Sequence, residues 1–107
     1  FMYLNKLSMY YTLCDSEKNA ESLSKKLIKA QKAVCINVIN NIKIFYKENN
    51  EIKESKELIL IIKSTEKKEK IFDFIIKNHE YKIPFIAKIP NKSVNKEYLE
   101  WCKLLNK

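Results

Sequence analysis

The chain has 107 residues, 46% hydrophobic and 32% charged, with 21 basic residues against 13 acidic ones for a net charge of +8. That length allows one domain, taken as residues 1–107, with a small core of ordinary globular composition. Glycine is absent, which excludes the P-loop and the G-x-G-x-x-G fingerprint, since both need a backbone approach that a Cβ blocks.

Ser8–Cys14, rich in aromatic and β-branched residues, predicts the first strand. Asp15 and Ser16 then offer an N-cap with Glu17 in the first turn, where a carboxylate suits the helix dipole. Ala20, Leu23, Leu27 and Ile28 follow at helical spacing, with lysines on the other faces, and predict an amphipathic helix. Val34–Ile39 and Ile42–Tyr46 read as one long strand, bent by a bulge at Asn40-Asn41. Asn49-Asn50 is the expected hairpin turn, because with no glycine the positive-φ positions fall to asparagine. A second long strand runs from Glu51 to Ser64, and its apolar end, Leu58–Ile62, predicts cover on both faces. Thr65 is the expected cap of a second helix, with Ile71, Phe72, Ile75 and Ile76 as its apolar stripe. Lys82–Pro90 predicts a last strand, placed at a sheet edge by Pro84. A short helix over 95–105 is expected to pack Tyr98, Trp101, Cys102 and Leu105 on one face.

This order, βαββαβ plus a C-terminal helix, predicts an α+β, ferredoxin-like sandwich with two helices on one face of an antiparallel sheet. Two helices cover only one side, yet Leu58–Ile62 carries apolar residues for both. The mismatch predicts an oligomer. The longest apolar run is those five residues, far short of the roughly 20 that a membrane span needs. Phe1–Tyr11, interrupted by Asn5, Lys6 and Ser8, does not read as a signal peptide. A cytoplasmic location is expected, or an organelle if an upstream targeting segment has been removed.

All 21 basic residues are lysine, spread from Lys6 to Lys107 among glutamates. Sequence-specific nucleic-acid readers lean on bidentate arginine, so nucleic acid is not the expected partner. Cys14, Cys35 and Cys102 form an odd set with no C-x-x-C pair, which argues against a disulfide framework and for a reducing compartment.

Five segments in register carry a resemblance. Ala33–Ile39 is similar to the Ala-Cys-Val-Asn-Ile signature of the CutA-type divalent-cation tolerance proteins, and Ile44-Phe45-Tyr46 with Asn50-Glu51-Ile52 resembles their hairpin. Leu58–Thr65 is similar to their apolar strand, His79–Pro84 to their His-Pro-Tyr-x-x-Pro stretch, and Tyr98-Leu99-Glu100-Trp101 to the last helix. Glu48, Asn50, Glu80 and Phe85 stand where that pattern has Trp, Gly, Pro and Glu. The resemblance implies a ferredoxin-like homotrimer with a role in tolerance to divalent metals, copper especially.

No orienting acid or oxyanion nest accompanies Cys14 or Cys35 with His79, so the chain reads as non-enzymatic, with no required cofactor. His79 is the single histidine. Cys35, Cys14 and His79 are the expected ligands for copper or another divalent metal, with Cys35 first because thiolate suits cuprous ion. Cys102 is expected only to pack. The alternative is a trimeric ligand-sensing or signalling module, in which Lys63, Tyr81 and Tyr46 line an intersubunit pocket for a small anion.

Overall fold

A computed structural model describes residues 6–105. The first five and last two residues, over which the domain and N-terminal expectations extend, lie outside the described residues. The elements follow as β1 (Ser8–Cys14), α1 (Glu17–Lys29), β2 (Cys35–Glu48), β3 (Glu51–Ser64), α2 (Lys68–Asn78), β4 (Ile86–Ile89) and α3 (Lys96–Leu105). The strands form one antiparallel sheet in the order β2-β3-β1-β4, the ferredoxin-like arrangement that the element order predicts.

The strand period of two decides what each face carries. On one face Tyr10 and Cys14 of β1 and Leu60 and Ile62 of β3 pack against Leu23 and Leu27 of α1 and Ile71 and Ile75 of α2, forming the core. The other face, open to the opposite side, carries Met9, Tyr11 and Leu13 of β1 in register with Lys63, Ile61 and Ile59 of β3. Cys35, Asn37 and Ile39 of β2 continue those three rows.

Local chemistry explains the boundaries. Ser16 caps α1 by accepting the Asn19 N–H at 3.1 Å. The helix ends in a Schellman motif: Gln31 N–H donates to Ile28 O and Lys32 N–H to Leu27 O, with Gln31 at φ 59° where glycine is usual. The bulge falls where expected, as a register shift between Ile39 and Ile42 with Asn41 at φ 58°. Asn49 and Asn50 turn the hairpin at φ 52° and 63°, the type I′ signature whose twist matches the strands. Replacing Asn50 with valine is expected to destabilise the protein by about 1–2 kcal/mol, the cost of a left-handed β-branched residue. Urea unfolding of the two proteins checks it.

Four expectations need correcting. The cap of α2 is Lys67 rather than Thr65. Ser64 organises the approach instead, accepting the Glu66 N–H at 2.9 Å and donating to Lys32 O at 2.5 Å. Ile28 and Ile76 lie on the margins of their apolar stripes and are exposed, whereas Phe74 packs on the core. The last strand is only Ile86–Ile89, because the segment before it is held by other bonds: Thr12 Oγ1 donates to Phe85 O at 2.8 Å. On α3 only Cys102 is buried; Leu105 is exposed, and Trp101 stays 44% exposed with Tyr98 as its ring neighbour, centroids 5.3 Å apart.

Candidate metal centre

The end of β1, the end of α2 and the turn after it converge. Cys14 is the last residue of β1, facing the core, and His79 is the C-cap of α2. One ligand atom each from Cys14, His79 and Glu80 lie within 4.8 Å of one another, the grouping of this kind found among the described residues. The His79 side chain is fully buried and that of Glu80 partly exposed, so the cluster opens to solvent on its carboxylate side.

Hydrogen bonding defines the tautomer of His79. Nε2 lies 2.7 Å from the Leu13 carbonyl, which can only accept, so Nε2 carries the proton. Nδ1 accepts the Tyr81 N–H at 3.0 Å and is therefore the lone-pair nitrogen. It lies 3.5 Å from Glu80 Oε1. A ring nitrogen oriented by a carbonyl on its far side is how metal-ligating histidines are usually held. The second oxygen of Glu80 accepts the Asp15 N–H at 3.3 Å. Tyr81 stacks on His79 with ring centroids 4.9 Å apart and donates its hydroxyl to Glu57.

Electrostatics set the state of the thiol. Burial pushes Cys14 up from 9.0 to about 12, and the carboxylates of Glu80, Asp15 and Glu57 push in the same direction. A thiol so protonated is a poor nucleophile, and this setting is the reverse of the electropositive one that activates cysteine. The same negative surroundings attract a cation. Burial also raises the Tyr81 phenol, with the Glu57 hydrogen bond adding to it.

The Cys14 shift has a consequence for stability in the metal-free protein. Above pH 9 the unfolded chain loses the thiol proton while the folded chain keeps it, so folding stability falls as pH rises from 9 towards 12. Urea denaturation across that range is expected to show a decline that is shallower in Cys14→Ala.

The other expected site residues lie elsewhere in the chain. Cys35 is on the open face, paired in register with Lys63, across the sheet from Cys14. Tyr46 is opposite Lys53 on the long hairpin, remote in sequence register from Tyr81. Two grooves of about 430 and 460 Å³ flank α1, lined by residues such as Ser24, Lys25 and Ile36 or Glu17, Val38 and Leu58, and none of Lys63, Tyr81 or Tyr46 lines either. Glu80 is the site residue that sequence reasoning missed. It registered only as a departure from a proline, although a carboxylate directly following a helix-terminal histidine was a legible signal.

A split βαβ sandwich with a Cys–His–Glu cluster where its first strand meets its second helix defines the class. The family described as CutA1 divalent ion tolerance protein matches residues 8–104, and the chain belongs to that family. The divalent-cation tolerance protein CutA of Thermus thermophilus is 30% identical over 89 residues, covering 82% of this chain and 86% of that protein. The chloroplastic CutA 1 of Oryza sativa is 29% identical over 94 residues, covering 87% of this chain and 53% of the relative. Human CutA is 26% identical, covering 91% and 55%. The chain thus spans most of the bacterial relative and about half the length of the other two. Among solved structures, CutA1 from Oryza sativa superposes with a TM-score of 0.85 at 26% identity over 94% of each chain. CutA1 from Pyrococcus horikoshii gives 0.83 at 29% identity over 94% of this chain and 98% of that one.

Proposed function

We propose that this chain binds a metal ion, divalent or cuprous, through Cys14, His79 and Glu80, and does so as a homotrimer. The observation that carries the metal reading is the convergence of three ligand atoms of different chemistry within 4.8 Å. Sulfur, imidazole nitrogen and carboxylate oxygen together suit copper or zinc better than magnesium or calcium, which favour oxygen alone. The residues fit such an ion: His79 is pre-oriented through Nε2, and Glu80 is at the solvent end, where it can close on the ion. An ion would displace the Cys14 proton and the Tyr81 N–H from Nδ1. Names of relatives that refer to divalent-cation tolerance support the same reading.

Isothermal calorimetry with cupric and zinc ions tests it. Stoichiometric binding by the native chain, lost in Cys14→Ala, is the expected result; no binding by the native chain would sink the proposal. The reading does not involve catalysis. An anionic ligand in an intersubunit cleft lined by Lys63, Tyr81 and Tyr46 is the competing account, and it requires metal-independent binding in the same calorimeter.

The trimer is supported by apolar surface that one chain leaves uncovered: Ile39, Phe45 and Ile52 along β2 and β3 and Trp101 on α3 are all exposed, Ile52 at 80%. The hairpin strands, 14 residues each against seven in β1, also present along β2 an edge that is unpaired among the described residues. Sedimentation equilibrium is expected to give three times 12.8 kDa. No described helix is long and apolar enough to cross a membrane, and an organellar location draws support from the chloroplastic names of the plant relatives.

A further inference from the structure

The groove of about 430 Å³ between α1 and the start of β2 is lined by Ser24, Lys25, Ile28, Lys29 and Ile36. Its chemistry is divided. Ser24 and Ile28, four residues apart, form one row along α1, and Lys25 and Lys29 form the next. Ile36 of β2 is the facing wall and packs on the core. Ile28 is 44% exposed, an apolar side chain left at the surface among lysines. Lys25 bonds Glu21 at 2.7 Å, but both side chains are well exposed, and such a surface pair is weak and readily shared. Lys29 has no ion pair among the described residues. The Ser24 Oγ is turned inward, buried and without a hydrogen-bond partner, although the residue lines the groove. A helical serine can bond the carbonyl four residues back; this one does not. An ordinary change of rotamer brings its hydroxyl into the groove, where an acceptor would satisfy it.

We propose that this groove binds a medium-chain aliphatic carboxylate, one per chain, with its head at Ser24, Lys25 and Lys29 and its tail along Ile28 and Ile36. The lining holds two cations and no acid, so charge complementarity selects an anion. Two isoleucines and no aromatic ring suit an aliphatic tail better than a stacked one. The volume falls within the range of small-molecule sites. The adjoining groove shares Ser24 and Lys25 but is also lined by Glu17 and Glu21, which repel a carboxylate and confine it to the first. The site uses none of Cys14, His79 and Glu80, so it stands apart from the metal reading.

Octanoate is the probe, titrated into the assembled protein and followed by calorimetry and by backbone amide NMR shifts. Saturable binding of one equivalent per chain is expected, with shifts centred on Ser24, Lys25, Ile28, Lys29 and Ile36. Octylamine, with the same tail and the opposite charge, is expected to bind at least about tenfold more weakly. Ser24→Ala is expected to weaken octanoate binding by about tenfold while holding or raising the midpoint of thermal unfolding, because it removes an orphaned hydroxyl. A serine with only a structural role would not separate those two readouts. Lys29→Met, at the exposed rim, is expected to cost about fivefold. Equal affinity for octylamine, undiminished binding by Ser24→Ala, shifts centred elsewhere, or no saturable binding, as when a neighbouring copy fills the groove, would each overturn the proposal.

Discussion

Replacing Ile61 with aspartate is expected to dissociate the proposed trimer into folded monomers. Ile61 lies on the open face, in register with Tyr11 on one side and Asn37 on the other, whereas its neighbours Leu60 and Ile62 are fully buried against the helices. A carboxylate at position 61 therefore enters no part of the monomer's own core. In the proposed trimer it would be taken out of water at the interface, and a buried charge left uncompensated costs about 3–5 kcal/mol. Three copies multiply the effect. Sedimentation should fall to one chain mass while far-UV circular dichroism persists. Leu60→Asp, one residue away on the core face, should abolish folding altogether. If Ile61→Asp protein stays trimeric, the open face is not the subunit interface.

Metal affinity is expected to rise about tenfold for each pH unit between pH 7.5 and 9.5, measured with zinc by competition against a chelator of known pH dependence. The reason is the thiol. Cys14, pushed up to about 12 by burial and three nearby carboxylates, keeps its proton throughout that window. Binding must expel one proton, and each unit of pH makes the expulsion tenfold easier. In Cys14→Ala protein the affinity should drop by about 100-fold or more and the thiol's share of the slope should vanish. A pH-independent affinity in the native protein would show that Cys14 is not a ligand. Such a slope also distinguishes this centre from the intersubunit anion site, whose occupancy through Lys63 would not grow with rising pH.

The local signals in the chain were strong where they depended on backbone geometry alone. Without glycine, left-handed positions had few candidates, and Asn41, Asn49 and Asn50 occupy three of the four positive-φ sites among the described residues. Gln31 is the fourth and was not foreseen, because the Schellman bonds to Leu27 and Ile28 hold a residue type with no preference for that region. The cap of α2 was misjudged for a related reason: Thr65 looked suitable, but Ser64 already ties the segment to Lys32 and delays the helix.

The candidate site was legible only in part. Cys14 and His79 stood out by residue type, and the structure places them together with Glu80. Cys35 stood out equally, yet an odd or even step along a strand decides which side of the sheet a thiol reaches, and periodicity alone does not say which side the helices occupy. Cys102 looked like packing on a helix. It is buried in the structure, and what buries it depends on where α3 folds back, which no local pattern encodes.

By itself, then, the sequence determined the element order, the hairpin and bulge, the exclusion of glycine-dependent nucleotide sites and the resemblance to a metal-tolerance family. These follow from propensity, spacing and short-range sterics, which act within a few residues. Tertiary structure alone decided that Ile59 and Ile61 face away from the core, that Glu80 joins Cys14 and His79, and that the Lys63 ammonium lies over the Tyr98 ring. Those outcomes rest on strand register and on the docking of α2 and α3, contacts made between segments 20 to 70 residues apart, where burial of one face against another rather than local preference selects the neighbours.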